Sequence, residues 1–174
     1  MGALENLMAK QEAAPVAQLA KAKPKTLYGE DAIRKVSANE GRELSLAERR
    51  VVMEEGFVDG EYLDTKGIRT GGVGQTGEWM DKSFGESFQH HKERARKRVP
   101  RLDELPEALR AELIQAEYRG DLGLSPTAVK HLNAGNYKKA SVEFLNNDEY
   151  RNPNTSTGIK SRMKAVADAL SAHS

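Results

Sequence analysis

The clearest patterning of apolar and polar positions begins at Ser45. Ser45 and Glu48 in SLAE form a capping box, in which the serine side chain and the glutamate each satisfy a free backbone N–H at a helix start. The helix they open runs through Leu46, Val51 and Val52 to about Glu55, where Gly56 stops it. The next stretch, FVDGEYLDTKGIRTGGVGQTG, alternates in character and repeats glycine, which predicts a small twisted β-hairpin turning at Thr65–Lys66–Gly67. Beyond Trp79 the periodicity is helical to the end. One helix is expected over Phe84 to Val99, stopped before Pro100. A second runs from Pro106 to Arg119, with Leu105, Leu109, Leu113 and Ala116 on one stripe and Gly120 after it. Ser125–Pro126 opens a short third helix that Gly135 closes, Tyr137 to Leu145 follows, and the last opens near Thr157 with Ile159, Met163, Val166 and Leu170 facing inward. Met53 and Met163 are read as core packing. There is no internal repeat. The expected fold class is α+β, mostly helical: a hairpin lobe inserted after a first helix, then a helical lobe.

Residues 1–44 differ in composition from residues 45–174. Ala, Lys, Gln and Glu dominate, Pro15 and Pro24 interrupt them, and two short apolar stretches, Leu4–Leu7–Met8 and Ala32–Ile33–Val36, bury little alone. This segment is expected to be either an extended or helical arm that orders on a partner or a disordered tail, with the globular domain spanning 45–174. Hydrophobic residues make up 38% of the 174 and charged residues 30%, enough for one core plus a polar appendage. No apolar run approaches the roughly 20 residues that span a bilayer, and the N-terminus lacks a secretory layout. Cysteine is absent, which excludes disulfides and thiolate chemistry. The net charge is +1, yet KERARKRVPR (92–101) holds six cations and one anion, a face suited either to solvent or to an anionic polymer.

Candidate chemistry gathers after the first helix. Glycoside cleavage needs a proton donor for the leaving oxygen and a second polar group that manages water or the oxocarbenium charge. Glu55 ends a helix, Asp64 lies nine positions on, and Thr70 six further on the returning strand, so a helix end facing a hairpin would put all three on one groove. Other candidates carry less. His90 and His91 diverge by about 100° on a helix, which does not suit one metal; His131 and His173 are isolated. The GGVG run lacks the lysine and helix start of a phosphate loop.

The segment EEGFVDGEYLDTKGIRTGGVGQTG resembles the active-site stretch of phage-type lysozymes, glycoside hydrolase family 24. Their pattern is Glu, eight residues, Asp or Cys, five residues, Thr, then a Gly-rich tail commonly ending in Gly-His. Glu55, Asp64 and Thr70 match its spacing, and Gly72 and Gly74 match the tail. PEALRAELIQAEYRGDLG resembles the buried central helix of the helical lobe, NAGNYKKASVEFLNNDEYRN a later helix followed by an aromatic residue, and GIKSR the start of the last helix. The resemblance spans about residues 45–172. The family's histidine is Gln75 here, its apolar residue after the threonine is Gly71, and Trp79 through Lys82 have no counterpart.

The resemblance implies a two-lobed lysozyme fold and muramidase activity on the β-1,4 bond between N-acetylmuramic acid and N-acetylglucosamine. Glu55 would protonate the leaving oxygen while Asp64 and Thr70 hold the attacking water for inversion. Arg162 would orient Glu55, and Gln75 is a second supporting position. No metal or organic cofactor is implied. The expected partner is bacterial peptidoglycan rather than nucleic acid or a membrane, with other virion proteins meeting residues 1–44. A virion-associated enzyme is the favoured deployment. The alternatives are an endolysin held in the host cytoplasm until holin-dependent release, and a virion protein that keeps the fold without activity.

Overall fold

The computed structural model describes residues 24–174. Among them are a short strand β1 (Thr26–Leu27), helices α1 (Gly29–Glu40) and α2 (Leu46–Glu55), and strands β2 (Phe57–Leu63), β3 (Arg69–Gly72) and β4 (Gln75–Thr76). A 3-10 turn (Gly77–Asp81) leads to α3 (Phe84–Arg98) and a second such turn (Leu102–Glu104) to α4 (Glu107–Arg119). The chain ends with α5 (Pro126–Asn133), α6 (Tyr137–Leu145), α7 (Asp148–Arg151) and α8 (Thr157–Ala172). The class is α+β and mostly helical. No described helix is long and apolar enough to cross a membrane.

The capping box at Ser45 forms: Ser45 N donates to Glu48 Oε2 at 2.8 Å and Glu48 N to Ser45 Oγ at 3.4 Å. Arg42 adds a forked pair to the same carboxylate, at 2.5 and 3.1 Å. Burial pushes the Glu48 carboxyl up, but the bonds from Arg42 and Ser45 outweigh it and hold the group below its ordinary range. A second capping box, Ser83 with Glu86, starts α3. Helix α4 is the centre of the core. Leu109, Leu113, Ile114 and Ala116 are buried along it, and it packs against α2, α3 and α8. Burial around so much of a helix requires neighbours on several sides, and those three supply them.

Residues 26–44 form neither the partner-docking arm nor the disordered tail expected of 1–44. Ala32, Ile33 and Val36 make one stripe on α1, are at most 3% exposed, and join the main core; Leu44 is buried too. Three apolar side chains bury little on an isolated helix, but α2, α3 and β2 cover them here. Strand β1 pairs antiparallel with β2, Leu27 opposite Phe57, so the expected hairpin is the middle of a four-stranded sheet ordered β1-β2-β3-β4. Residues 1–23, including the Leu4–Leu7–Met8 stretch, lie outside the described residues. Met53 is a second correction. It is 49% exposed, because the next position after Val52 is rotated about 100° away from the buried stripe. Met163 is buried as expected.

The hairpin turns where the sequence places it, but β2 carries a bulge. Val58 faces Gly72 while Glu61 faces Gly71, leaving two residues of β2 unmatched. A Cβ at Gly71 would stand 2.3 Å from the Gly60 carbonyl oxygen. Gly71 is thus the residue that lets the bulged strand close onto β3, and not merely a loosened position.

Candidate active site

Helix α2 ends at Glu55 because Gly56 takes φ 71°. A Cβ there would meet the Leu27 carbonyl oxygen at 2.8 Å, so glycine also lets β1 lie across the helix end. The carboxyl of Glu55 is left 21% exposed. It faces Gly74 in the β3–β4 turn, where a Cβ would stand 3.5 Å from Glu55 Oε2. From α8, Arg162 donates through one terminal nitrogen to Glu55 Oε1 at 3.3 Å and to the Glu54 carbonyl at 3.1 Å.

Arg162 does not serve Glu55 alone. Its Nε lies 3.8 Å from Glu54 Oε2. Glu54 also pairs with Arg50, whose Nε donates to Glu112 on α4 at 2.6 Å. Alternating charges therefore run from α4 through α2 to α8 and end on Glu55. Burial pushes the Glu55 carboxyl up. Arg162 and Arg119 pull it down, Glu54 and Asp121 push it up again, and the balance lies above the ordinary value. Its place in the last turn of a helix, at the negative end of the helix dipole, also favours the neutral acid.

Asp64 and Thr70 stand together on the hairpin. Asp64 Oδ1 accepts from Lys66 N at 2.7 Å and Ile68 N at 2.9 Å, which fixes the turn and leaves Oδ2 without a hydrogen bond from the described residues. Thr70 is buried on β3 opposite Tyr62, and its hydroxyl donates to the Ile68 carbonyl at 3.1 Å. The proton of Thr70 is thereby committed while its lone pairs remain for an incoming donor. Both side chains hold the peptide groups of Ile68. No direct hydrogen bond or ion pair links either of them to Glu55.

Gln75 is buried on β4. Its Nε2 donates to the carbonyls of Trp79 and Lys82, both at 2.9 Å, with Ser83 O at 3.5 Å. It ties down the loop between β4 and α3, and none of these hydrogen bonds goes to Glu55, so the support it gives is to that loop. A neutral amide does this with no ion pair.

Sequence reasoning missed several neighbours of Glu55. Arg119 bonds Asp121 at 2.8 Å and Glu149 at 3.1 Å, and both Arg119 and Asp121 act on the Glu55 carboxyl. Asp121 also lines a cavity of about 410 Å³ with Asp148, Glu149, Arg151 and Met163. Glu54 and Arg50 carry only a faint signal in sequence, the i, i+4 spacing of opposite charges on α2, which is common on solvated faces. Among the described residues, no group of three or more His, Asp or Glu is placed to hold a metal ion.

No family model matches the chain, and no curated protein or solved structure matches it either. The chemistry open to the site follows from its groups. Glu55 is a carboxyl biased towards its protonated form, held by a cation in one orientation. Asp64 offers a carboxylate oxygen, and Thr70 a hydroxyl that can accept.

Proposed function

We propose that this protein is a peptidoglycan muramidase in which Glu55 is the general acid. The observation that carries the reading is Glu55 itself: a largely buried helix-end carboxyl whose pKa stays raised although Arg162 lies 3.3 Å away. A general acid must hold its proton at working pH, and burial outweighing a close cation moves Glu55 in that direction. The spacing of Glu55, Asp64 and Thr70, and its resemblance to the phage-type lysozyme pattern, supply the substrate class. Under this reading Glu55 gives its proton to the leaving glycosidic oxygen. Asp64 Oδ2 takes a proton from water, and Thr70, already donating to Ile68, accepts the other hydrogen of that water and so orients it. The water attacks from the face opposite the leaving group, which inverts the anomeric carbon.

Digestion of purified peptidoglycan tests this. Mass spectrometry of the fragments should find new reducing ends on N-acetylmuramic acid. Ends on N-acetylglucosamine, or cleavage of amide bonds only, would reject the reading.

For deployment we keep virion association as the proposal, on narrower ground. With residues 26–44 built into the core, the docking segment is at most residues 1–23. Deleting 1–23 should leave hydrolysis intact and remove the protein from purified particles. Particles that lack the full-length protein would favour the endolysin.

A further inference from the structure

Two cavities are each lined by a neighbour of Glu55, Asp121 in one and Gly74 in the other, and they differ in charge. The larger, on the side of Asp121 and Met163, has three carboxylates in its lining; Arg151 pairs with Asp148, and Arg119 is shared by Asp121 and Glu149, which leaves one negative charge in excess. The other, of about 170 Å³, lies between β4, the 3-10 turn, α3 and α4, and no carboxylate lines it. Its walls include Gly74, Trp79, His90, His91, Arg94 and Tyr118. A Cβ built on Gly74 would stand 3.5 Å from Glu55 Oε2, so one wall of this second cavity lies next to the acid.

Its walls suit a sugar bearing an acidic arm. Trp79, the only tryptophan in the chain, is half-buried with its ring 4.5 Å from that of exposed His90, an aromatic surface for the apolar side of a pyranose. Arg94 brings the charge. Its Nε lies 2.9 Å from Glu117 Oε1, and Arg98 holds Glu117 Oε2 at 2.8 Å. Glu117 has a fully buried side chain, so two guanidinium groups share one carboxylate and the cluster keeps one positive charge. Arg94 is 43% exposed and its contact with Glu117 is an ion pair without a hydrogen bond, so its N–H donors can meet a second carboxylate. His91 adds no charge at neutral pH, because burial, with His90 and Arg94 nearby, brings its pKa down to about 4.

We propose that the Trp79–His90–Arg94 pocket binds the carboxylate-bearing lactyl arm of a muramyl residue, so that charge sets the direction in which the glycan crosses Glu55. The cavity at Asp121, with its excess of negative charge, disfavours that arm and takes a neutral acetamido sugar. This inference rests on the muramidase reading and adds the orientation of its substrate. It also gives a use to Trp79, which no other part of the site employs.

Because Trp79 is the sole tryptophan, its fluorescence reports this pocket alone. Full-length protein carrying Glu55→Gln, which prevents turnover, is titrated with a peptide-free GlcNAc–MurNAc tetrasaccharide and with chitotetraose, which has no carboxylate. The muramyl ligand should change the tryptophan emission saturably and bind at least about tenfold more tightly than chitotetraose. Arg94→Gln should erase that preference and Arg94→Lys keep most of it. His90→Ala, on an exposed side chain, should weaken both ligands without unfolding the chain. Equal affinities for the two tetrasaccharides would overturn the inference, as would binding seen by calorimetry with no change in emission. Wild type that still cleaves peptidoglycan in either case shows that the orientation fails while the muramidase reading stands. If wild type does not cleave and neither sugar binds, the reading fails and the inference with it.

Discussion

At Glu55 burial and charge pull in opposite directions, and the surrounding residues decide the balance. Arg162 is close enough to strip the proton from an exposed glutamate. Here its charge is divided, since Glu54 also claims it and is itself held by Arg50. Replacing Glu54 by Gln removes a negative neighbour that pushes the Glu55 pKa up, so that pKa should fall. The acid then loses its proton sooner, and the alkaline limb of the pH–rate profile should move to lower pH. Removing Arg162 by R162Q should move it the other way while lowering turnover, because orientation is lost. An alkaline limb unmoved by both changes would mean that Glu55 is not the group seen in the profile. The raised pKa also has a stability cost. A carboxyl whose folded pKa exceeds its unfolded one adds stability below the unfolded value, and this is lost as pH rises through the folded value. Glu55→Gln should therefore keep or raise the melting temperature at pH 7, read by calorimetry. The position of Glu55 is legible in sequence because a cap, a stop glycine and a hairpin fix it locally. Of its charged neighbours only Arg162 is reached, and through the resemblance; Arg119 and Asp121 lie more than sixty positions away and meet it only through packing.

Among the elements, α3 corrects an expectation drawn from charge alone. Of the six cations in residues 92–101, Arg94 and Arg98 hold buried Glu117, Arg96 pairs with Asp103 and Glu93, and Arg101 pairs with Glu104. Only Lys92 and Lys97 form no ion pair among the described residues. Sequence shows the run of cations but not the acids that α4 and the 3-10 turn bring to it. Replacing Arg94 and Arg98 together by Gln strips a buried carboxylate of both partners. It should cost on the order of 3 kcal/mol in denaturant unfolding, less whatever solvent screens at the partly exposed arginines. Lys92→Gln with Lys97→Gln is the pair that tests a wall tether, through pelleting with cell walls at low salt. The N-terminal elements show the opposite lesson. The Ala32–Ile33–Val36 stripe is visible in sequence but too small to bury by itself, and no sequence signal shows that β1 and α1 will be covered by β2, α2 and α3. Cutting the chain at residue 44 should thus unfold it or sharply lower its melting temperature.

For the molecule as a whole, the sequence carried the helix order and the hairpin, because each has its own caps and turns. The four-stranded sheet, the bulge closed by Gly71, and the two unlike cavities depend on contacts between distant segments. One consequence concerns acid stability. Glu48 has a depressed folded pKa and ties α2 to Arg42, so it contributes stability above its unfolded pKa that is lost as pH falls through the folded one. Glu48→Gln should lower the melting temperature at pH 7 and make it less sensitive to acid between pH 5 and 3, by roughly the range over which a carboxylate titrates. The fold and the site meet at the C-terminus of α2, and the central claim is tested there. Turnover of purified peptidoglycan by Glu55→Gln should be compared with wild type, with circular dichroism of both confirming the fold. The account predicts a folded variant whose turnover is reduced by about 10²–10⁴-fold or more. A folded variant that cleaves the glycan at close to the wild-type rate would contradict it.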